Sequence, residues 1–294
     1  MALLCALTLF AQDVNISTAD TTNQTITNRA IYERVAAKWQ SKASTMPMNE
    51  LVVAVGLEFL GTQYLWASLE SVPEKLNVFL DKTDCILFVE MSTCFALTLK
   101  GKKIVQAGDG EHYTIPQGKV LAGDSNAYNT PSLVDAEPSY ELLVHNIQNM
   151  RYRLGVVNTY SSRVHYTSEW LLQNTTNGIL REYTQELGTE FTQTFAYMSM
   201  HPHTYFQLEQ DPCELGRIRL MEDRLNKQTP YYYISQEELR KPEVISQIQS
   251  GDIITFIGGD PAVTDRTHAY WAGSDIRKNL VFIWDGAGES LVDH

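Results

Sequence analysis

Apolar residues recur at helical spacing along much of the chain and at strand spacing near its C-terminal end. Between Thr27 and Lys42, Ile31, Val35, Ala36 and Trp39 share one side, which predicts a helix. Pro47 opens a second helix, Met48 to Leu60, and Gly61 ends it in the manner of a C-cap. The densest apolar run, Ile86, Leu87, Phe88, Val89, Met91, Phe95, Ala96 and Leu97, predicts a mostly buried helix beginning at Asp84 and Cys85. Further helices are expected over Tyr140 to Tyr152, Ser168 to Gln173 and Glu214 to Asn226, the last with a charged, solvated face. Tyr231 to Ile234 reads as a short strand. Three more, Gly251 to Ile257, Thr267 to Ala272 and Leu280 to Asp285, have the spacing of an antiparallel meander. From about 101 to 139, glycines and prolines make the chain irregular, which suits a long loop or small hairpin rather than a hinge between large domains.

Composition narrows the classes. With 294 residues, 44% hydrophobic and 20% charged, the chain can bury a large core and is expected to be ordered. A formal charge of −12 with no Lys/Arg run excludes a nucleic-acid binder. Cysteines 5, 85, 94 and 213 lack zinc spacing, and His201 and His203 are too isolated in sequence to make a metal site; no metal or cofactor is expected. Gly108-Asp109-Gly110 is a turn signal and not a phosphate loop. The apolar Ala2 to Ala11 resembles the tail of an export signal, with an ordinary N-terminal helix as the alternative, and is too short to cross a bilayer. Residues 1–26 are therefore expected to be a signal remnant and polar leader, and residues 27–294 one domain with the 101–139 insertion.

The chemistry centres on Cys85. A helix first turn offers unpaired N–H groups and the positive end of the macrodipole, which favour a thiolate; Asp84 is placed to cap that turn. The alternative is a cysteine simply buried, as free cysteines often are. His268 begins the middle strand of the expected meander, where a side chain can face a cleft, and pairing it with Cys85 gives a nucleophile and a base. Tyr64 lies in a turn just upstream and is either structural or aimed into the site. Basic and aromatic residues crowd together at Arg151-Tyr152-Arg153 and Tyr160 to Tyr166, a composition suited to a ligand carrying carboxylates. The alternative there is a surface arginine cluster paired with neighbouring Glu.

Gly61-Thr62-Gln63-Tyr64-Leu65-Trp66 followed by Asp84-Cys85 resembles the turn and nucleophile pattern of NlpC-type cell-wall hydrolases, with Gln63 in place of a proline. A closer resemblance is to the bacterial N-acetylmuramoyl-L-alanine amidase-like family. It rests on Ala67-Ser68-Leu69-Glu70, Asp84-Cys85 with Phe88-Val89-Glu90, Arg151 to Gly155, Ser162 to Tyr166 with Trp170, Gly251 to Ile254, and Asp265 with His268. The resemblance implies an α+β, papain-like (NlpC-type) fold, with the nucleophile's helix packed on a C-terminal antiparallel sheet. It implies a cysteine amidase of the cell envelope, in the periplasm, that acts on muropeptides and cuts between N-acetylmuramic acid and L-alanine. The rivals are a γ-D-glutamyl-diaminopimelate endopeptidase and a non-catalytic peptidoglycan-binding module. Cys85 and His268 would be catalytic, and Tyr64, Trp66, Glu70, Arg151, Arg153, Ser162, Arg163, His165 and Tyr166 would bind substrate. The chain departs from the family at Trp284-Asp285-Gly286-Ala287, and Asp285 is the third triad candidate on triad logic alone.

Overall fold

The computed structural model describes residues 22–65, 68–106, 133–228, 230–255, 269–270 and 281–283. It is a helix-rich α+β structure with small sheets. In order come α1 (Thr22–Ala43), α2 (Met48–Gly56), β1 (Gln63–Tyr64), β2 (Lys82–Thr83) and α3 (Cys85–Leu99). The hairpin strands β3 (Lys102–Ile104) and β4 (Leu133–Asp135), then α4 (Tyr140–Arg151) and α5 (Thr167–Thr176), follow. Strands β5 (Thr189–Phe191) and β6 (Tyr231–Ser235) flank a long helix, Pro212–Lys227, and the chain continues into β7 (Ile253–Thr255), β8 (Ala269–Tyr270) and β9 (Val281–Ile283).

Helix α3 is the centre. It has no polar face, and every residue from Leu87 to Leu99 is buried, as befits a helix hydrophobic all round. Around it, α1, α2, α4 and the β3–β4 hairpin close one core, in which Phe95 meets both Tyr32 and Phe59. Strand β9 also lies against α3. Gly61, after the α2 helix and its final turn, has φ +76 and ends the helical run as its sequence suggests. Asn28 of α1, wholly buried, donates to Val78 O at 2.9 Å and accepts from Leu80 N at 3.1 Å. It thereby satisfies a stretch that has no strand partner of its own and fixes the approach to α3.

A second core gathers Tyr160, Tyr166, Phe195, Met198, Ile218, Met221 and Leu225, and Leu171 of α5 packs against both cores. The Pro212–Lys227 helix is less solvated than its charge suggests. Glu214 and Glu222 are buried, accepting from Ser161 N at 2.7 Å and Tyr166 Oη at 2.7 Å. The 101–139 excursion stands on a hairpin base, with Lys103 opposite Val134.

The expected meander is not the pairing found. β7 pairs antiparallel with β9, Ile254 opposite Phe282, while β8 pairs with β6, Ile234 opposite Tyr270. Alternation in sequence identifies a strand but says nothing about its neighbour, and here the middle strand joins an element more than thirty residues upstream.

Candidate active site

Strands β1 and β2 run parallel, Tyr64 opposite Thr83, with Leu65 N donating to Thr83 O at 2.8 Å. This brings the 61–65 turn alongside the start of α3. There Asp84 is the N-cap, in extended conformation, with Oδ1 accepting from Leu87 N at 2.9 Å. Its Oδ2 accepts from Ser68 Oγ at 2.7 Å. Cys85, the first helical residue, is half-buried. The Tyr64 ring is 55% exposed, and its hydroxyl pKa is raised first by burial and then by the nearby Cys85 and Asp84. At neutral pH it therefore keeps its proton and can donate a hydrogen bond.

Cys85, Cys94 and Cys213 form no disulfide. Cys94 is fully buried, with its sulfur 3.8 Å from Met150 Sδ, and burial pushes its thiol pKa well up. Cys213 also occupies a helix first turn, behind the Asp211 N-cap, which accepts from Cys213 N at 2.8 Å. The Asp-Pro signature before it marks that start in sequence as clearly as Asp84 marks the other. What distinguishes Cys85 is the tyrosine-bearing strand beside it.

The arginines expected to read substrate carboxylates are committed inside the protein. Arg151 Nε meets Glu90 Oε2 of α3 at 2.8 Å, and its Nη1 donates to Asn77 O. Trp170 Nε1 of α5 donates to the other Glu90 oxygen at 3.2 Å. Burial raises the Glu90 pKa, with Arg151 opposing. Arg153 pairs with Glu169 and donates to Ser161 O at 2.8 Å. Arg163 reaches Glu70 at 3.0 Å and Glu74 at 3.1 Å and lies over the Tyr160 ring. Pairing with Glu is thus found, with Arg151 and Arg163 buried and Glu70 alone among the partners half-exposed.

His165 is buried, its Nε2 2.7 Å from Tyr160 O, and burial holds its pKa well below the usual value, so it is neutral. Ser162 Oγ donates to Thr159 O at 2.6 Å. Tyr166 Oη donates to Glu222 and accepts from Met198 N at 3.1 Å in the second core. Gly155, closing this motif, has φ +67, and a Cβ there would stand 2.3 Å from Asn149 Oδ1.

Of the expected site residues, the structure brings Tyr64 and Asp84 to Cys85, and Glu70 onto Arg163. Trp66, His268 and Asp285 lie outside the described residues. Sequence reasoning gave no role to Ser68, Glu74, Asn77 or Glu90, although a carboxylate inside a faceless apolar helix such as Glu90 signals a buried partner. Among the described residues, no three His, Cys, Asp or Glu side chains are grouped to hold a metal, and no helix is long and apolar enough to cross a membrane.

The chain belongs to the N-acetylmuramoyl-L-alanine amidase-like family, whose model matches residues 128–277. That match begins after Cys85 and includes His268. In three dimensions the chain is similar to an N-acetylmuramoyl-L-alanine amidase from Bacteroides uniformis, with 22% identity, TM-score 0.56, and coverage of 80% of this chain and 89% of that one. It is also similar to a Bacteroides fragilis protein provisionally assigned as a xylanase, with 24% identity, TM-score 0.55, and coverage of 79% and 80%. These likenesses define a shared fold. No curated protein matches the chain.

Replacing Asp84 with Ala removes the cap and is expected to cost about 1–2 kcal/mol of unfolding free energy in urea denaturation, and Asp84→Asn less. Unchanged stability in Asp84→Ala would refute the capping role. His165 titrates in the unfolded chain near pH 6.5 but stays neutral when folded, so protons favour unfolding. Its stabilising contribution is intact above about pH 6.5 and is lost, at up to about 1.4 kcal/mol per pH unit, as pH falls from there towards the folded value. Over pH 5 to 6.5, stability should therefore depend less steeply on pH in His165→Gln than in the wild type; parallel curves would contradict a neutral buried imidazole.

Proposed function

We propose that this protein is a cysteine amidase of peptidoglycan that hydrolyses the amide between the lactyl group of N-acetylmuramic acid and L-alanine of the stem peptide. The observation that carries the reading is Cys85 in the capped first turn of α3 with the Tyr64 strand beside it. The family supplies the substrate class. The papain-like assignment and the periplasmic location belong to the same proposal.

In this reading Cys85 Sγ attacks the lactyl carbonyl carbon. The oxyanion is held by backbone N–H at the helix start, where partial positive charge is fixed in place, and by the protonated Tyr64 hydroxyl. His268 gives a proton to the departing L-alanine amine, leaving a muramoyl thioester, and then takes one from the water that hydrolyses it. Glu70, half-exposed and held by Arg163, keeps the substrate-binding role that the family resemblance implies for it.

Purified muropeptides are the test. The wild type should release intact peptides beginning with L-alanine, detected by mass spectrometry, and Cys85→Ala should lose at least about a thousandfold in rate while Cys213→Ala keeps it. Dipeptide L-Ala-D-Glu retained on the sugar would assign the endopeptidase reaction instead. Full activity in Cys85→Ala, or activity abolished by chelators and spared by iodoacetamide, would overturn the thiol mechanism.

A further inference from the structure

Starting at Glu90, hydrogen bonds run in a closed circuit back to the same helix six residues earlier. Glu90 holds Arg151, Arg151 donates to Asn77 O, Asn77 Nδ2 reaches Ser68 O at 3.4 Å, and Ser68 Oγ donates to Asp84 Oδ2 at 2.7 Å. Asp84 and Glu90 both belong to α3, so the 68–77 loop is strapped to the helix at its N-cap and in its second turn. The loop is held from outside as well. Tyr152 Oη donates to Glu74 at 2.7 Å and reaches Lys75 O at 2.9 Å; Arg163 holds Glu70 and Glu74; Gln207 donates to Ser71 O at 3.3 Å.

The geometry points to this circuit as a positioning device for the nucleophile, with Ser68 and Arg151 as positioning residues that set the Asp84 carboxylate and, through it, the state of the Cys85 sulfur. This rests on the reading of Cys85 as nucleophile.

The charge of Asp84 bears directly on the neighbouring sulfur. A carboxylate one residue before a thiolate opposes it by like-charge repulsion. Here both oxygens are engaged, one by the Leu87 N–H and one by the Ser68 hydroxyl, so the negative charge is drawn into hydrogen bonds and the cap stays in register. Removing the Ser68 hydroxyl leaves Oδ2 without that donor and the charge less neutralised beside Cys85. Arg151 acts at one remove, because its fork holds Asn77 and Glu90 together, a bridge that the single ammonium of Lys does not reproduce. The same view accounts for the burial of Arg151, which has no open face to offer a substrate.

The test measures the sulfur directly, without peptidoglycan. The rate of iodoacetamide alkylation at Cys85, followed by peptide mass spectrometry from pH 5 to 10, gives a midpoint for thiolate formation in the intact protein. The wild type is expected to show a midpoint below that of an ordinary thiol, about 8.5. Ser68→Ala should shift it upward by about one pH unit, which slows alkylation about tenfold at pH values well below the midpoint, and Arg151→Lys should shift it the same way. Thermal melts of both variants establish that they are folded at the assay temperature. A low wild-type midpoint that neither folded variant moves would overturn the positioning role while leaving Cys85 as nucleophile. A wild-type midpoint of an ordinary thiol would overturn the nucleophile assignment and this proposal with it.

Discussion

The buried ion pair between Glu90 and Arg151 is the constraint around which the rest of the structure is arranged. A carboxylate in a helix that is apolar on all sides cannot remain there alone, because taking an isolated charge out of water costs several kcal/mol. Its two oxygens are met by Arg151 from the end of α4 and Trp170 from α5. One side chain thus sets the relative placement of three helices, and the second nitrogen of Arg151 extends that placement to the 68–77 loop. The remaining cost of burial is visible in the raised pKa of Glu90, which Arg151 only partly offsets.

From this centre the chemistry at the edge follows. The start of α3 is held by the parallel strand carrying Tyr64 and by the loop carrying Ser68, and Cys85 is the first residue of that capped turn. Cys94, two turns further along the same helix, is fully buried against the Met150 thioether, and burial, with the Glu90 carboxylate adding to it, holds it as a thiol. One helix therefore presents the same side chain in two environments, half-buried at its first residue and fully buried further along.

How much of this the sequence revealed depends on the range of the interaction concerned. The Asp84 cap, the extent of α3 and the Gly61 stop are local, fixed by residues within a few positions, and they were legible. For the arginine cluster, pairing with Glu was legible as an alternative, but the partners and their burial were not. Arg151 finds its partner 61 residues away and Arg163 finds Glu74 89 residues away, so their composition suggested a carboxylate-binding face while folding used the carboxylates of the protein itself. The Pro212–Lys227 helix keeps its expected solvated face at Arg217, Arg219, Asp223 and Lys227, but the burial of Glu214 and Glu222 is hidden for the same reason, since their donors lie some fifty residues upstream. The strand order fell outside what alternation can encode. The capped helix start that carries Cys85 is thus readable from local rules, whereas its supports lie in contacts that only the folded chain makes.

A double-mutant cycle on Glu90 and Arg151 tests the central constraint most directly. Unfolding free energies are measured in urea for the wild type, Glu90→Gln, Arg151→Met and the double variant. The account predicts that each single change costs about 3–5 kcal/mol, because it leaves a buried charge unpaired, and that the double variant loses at least about 2 kcal/mol less than the sum. Strictly additive losses would show that the two residues are independent and that α3 is held in place by something else.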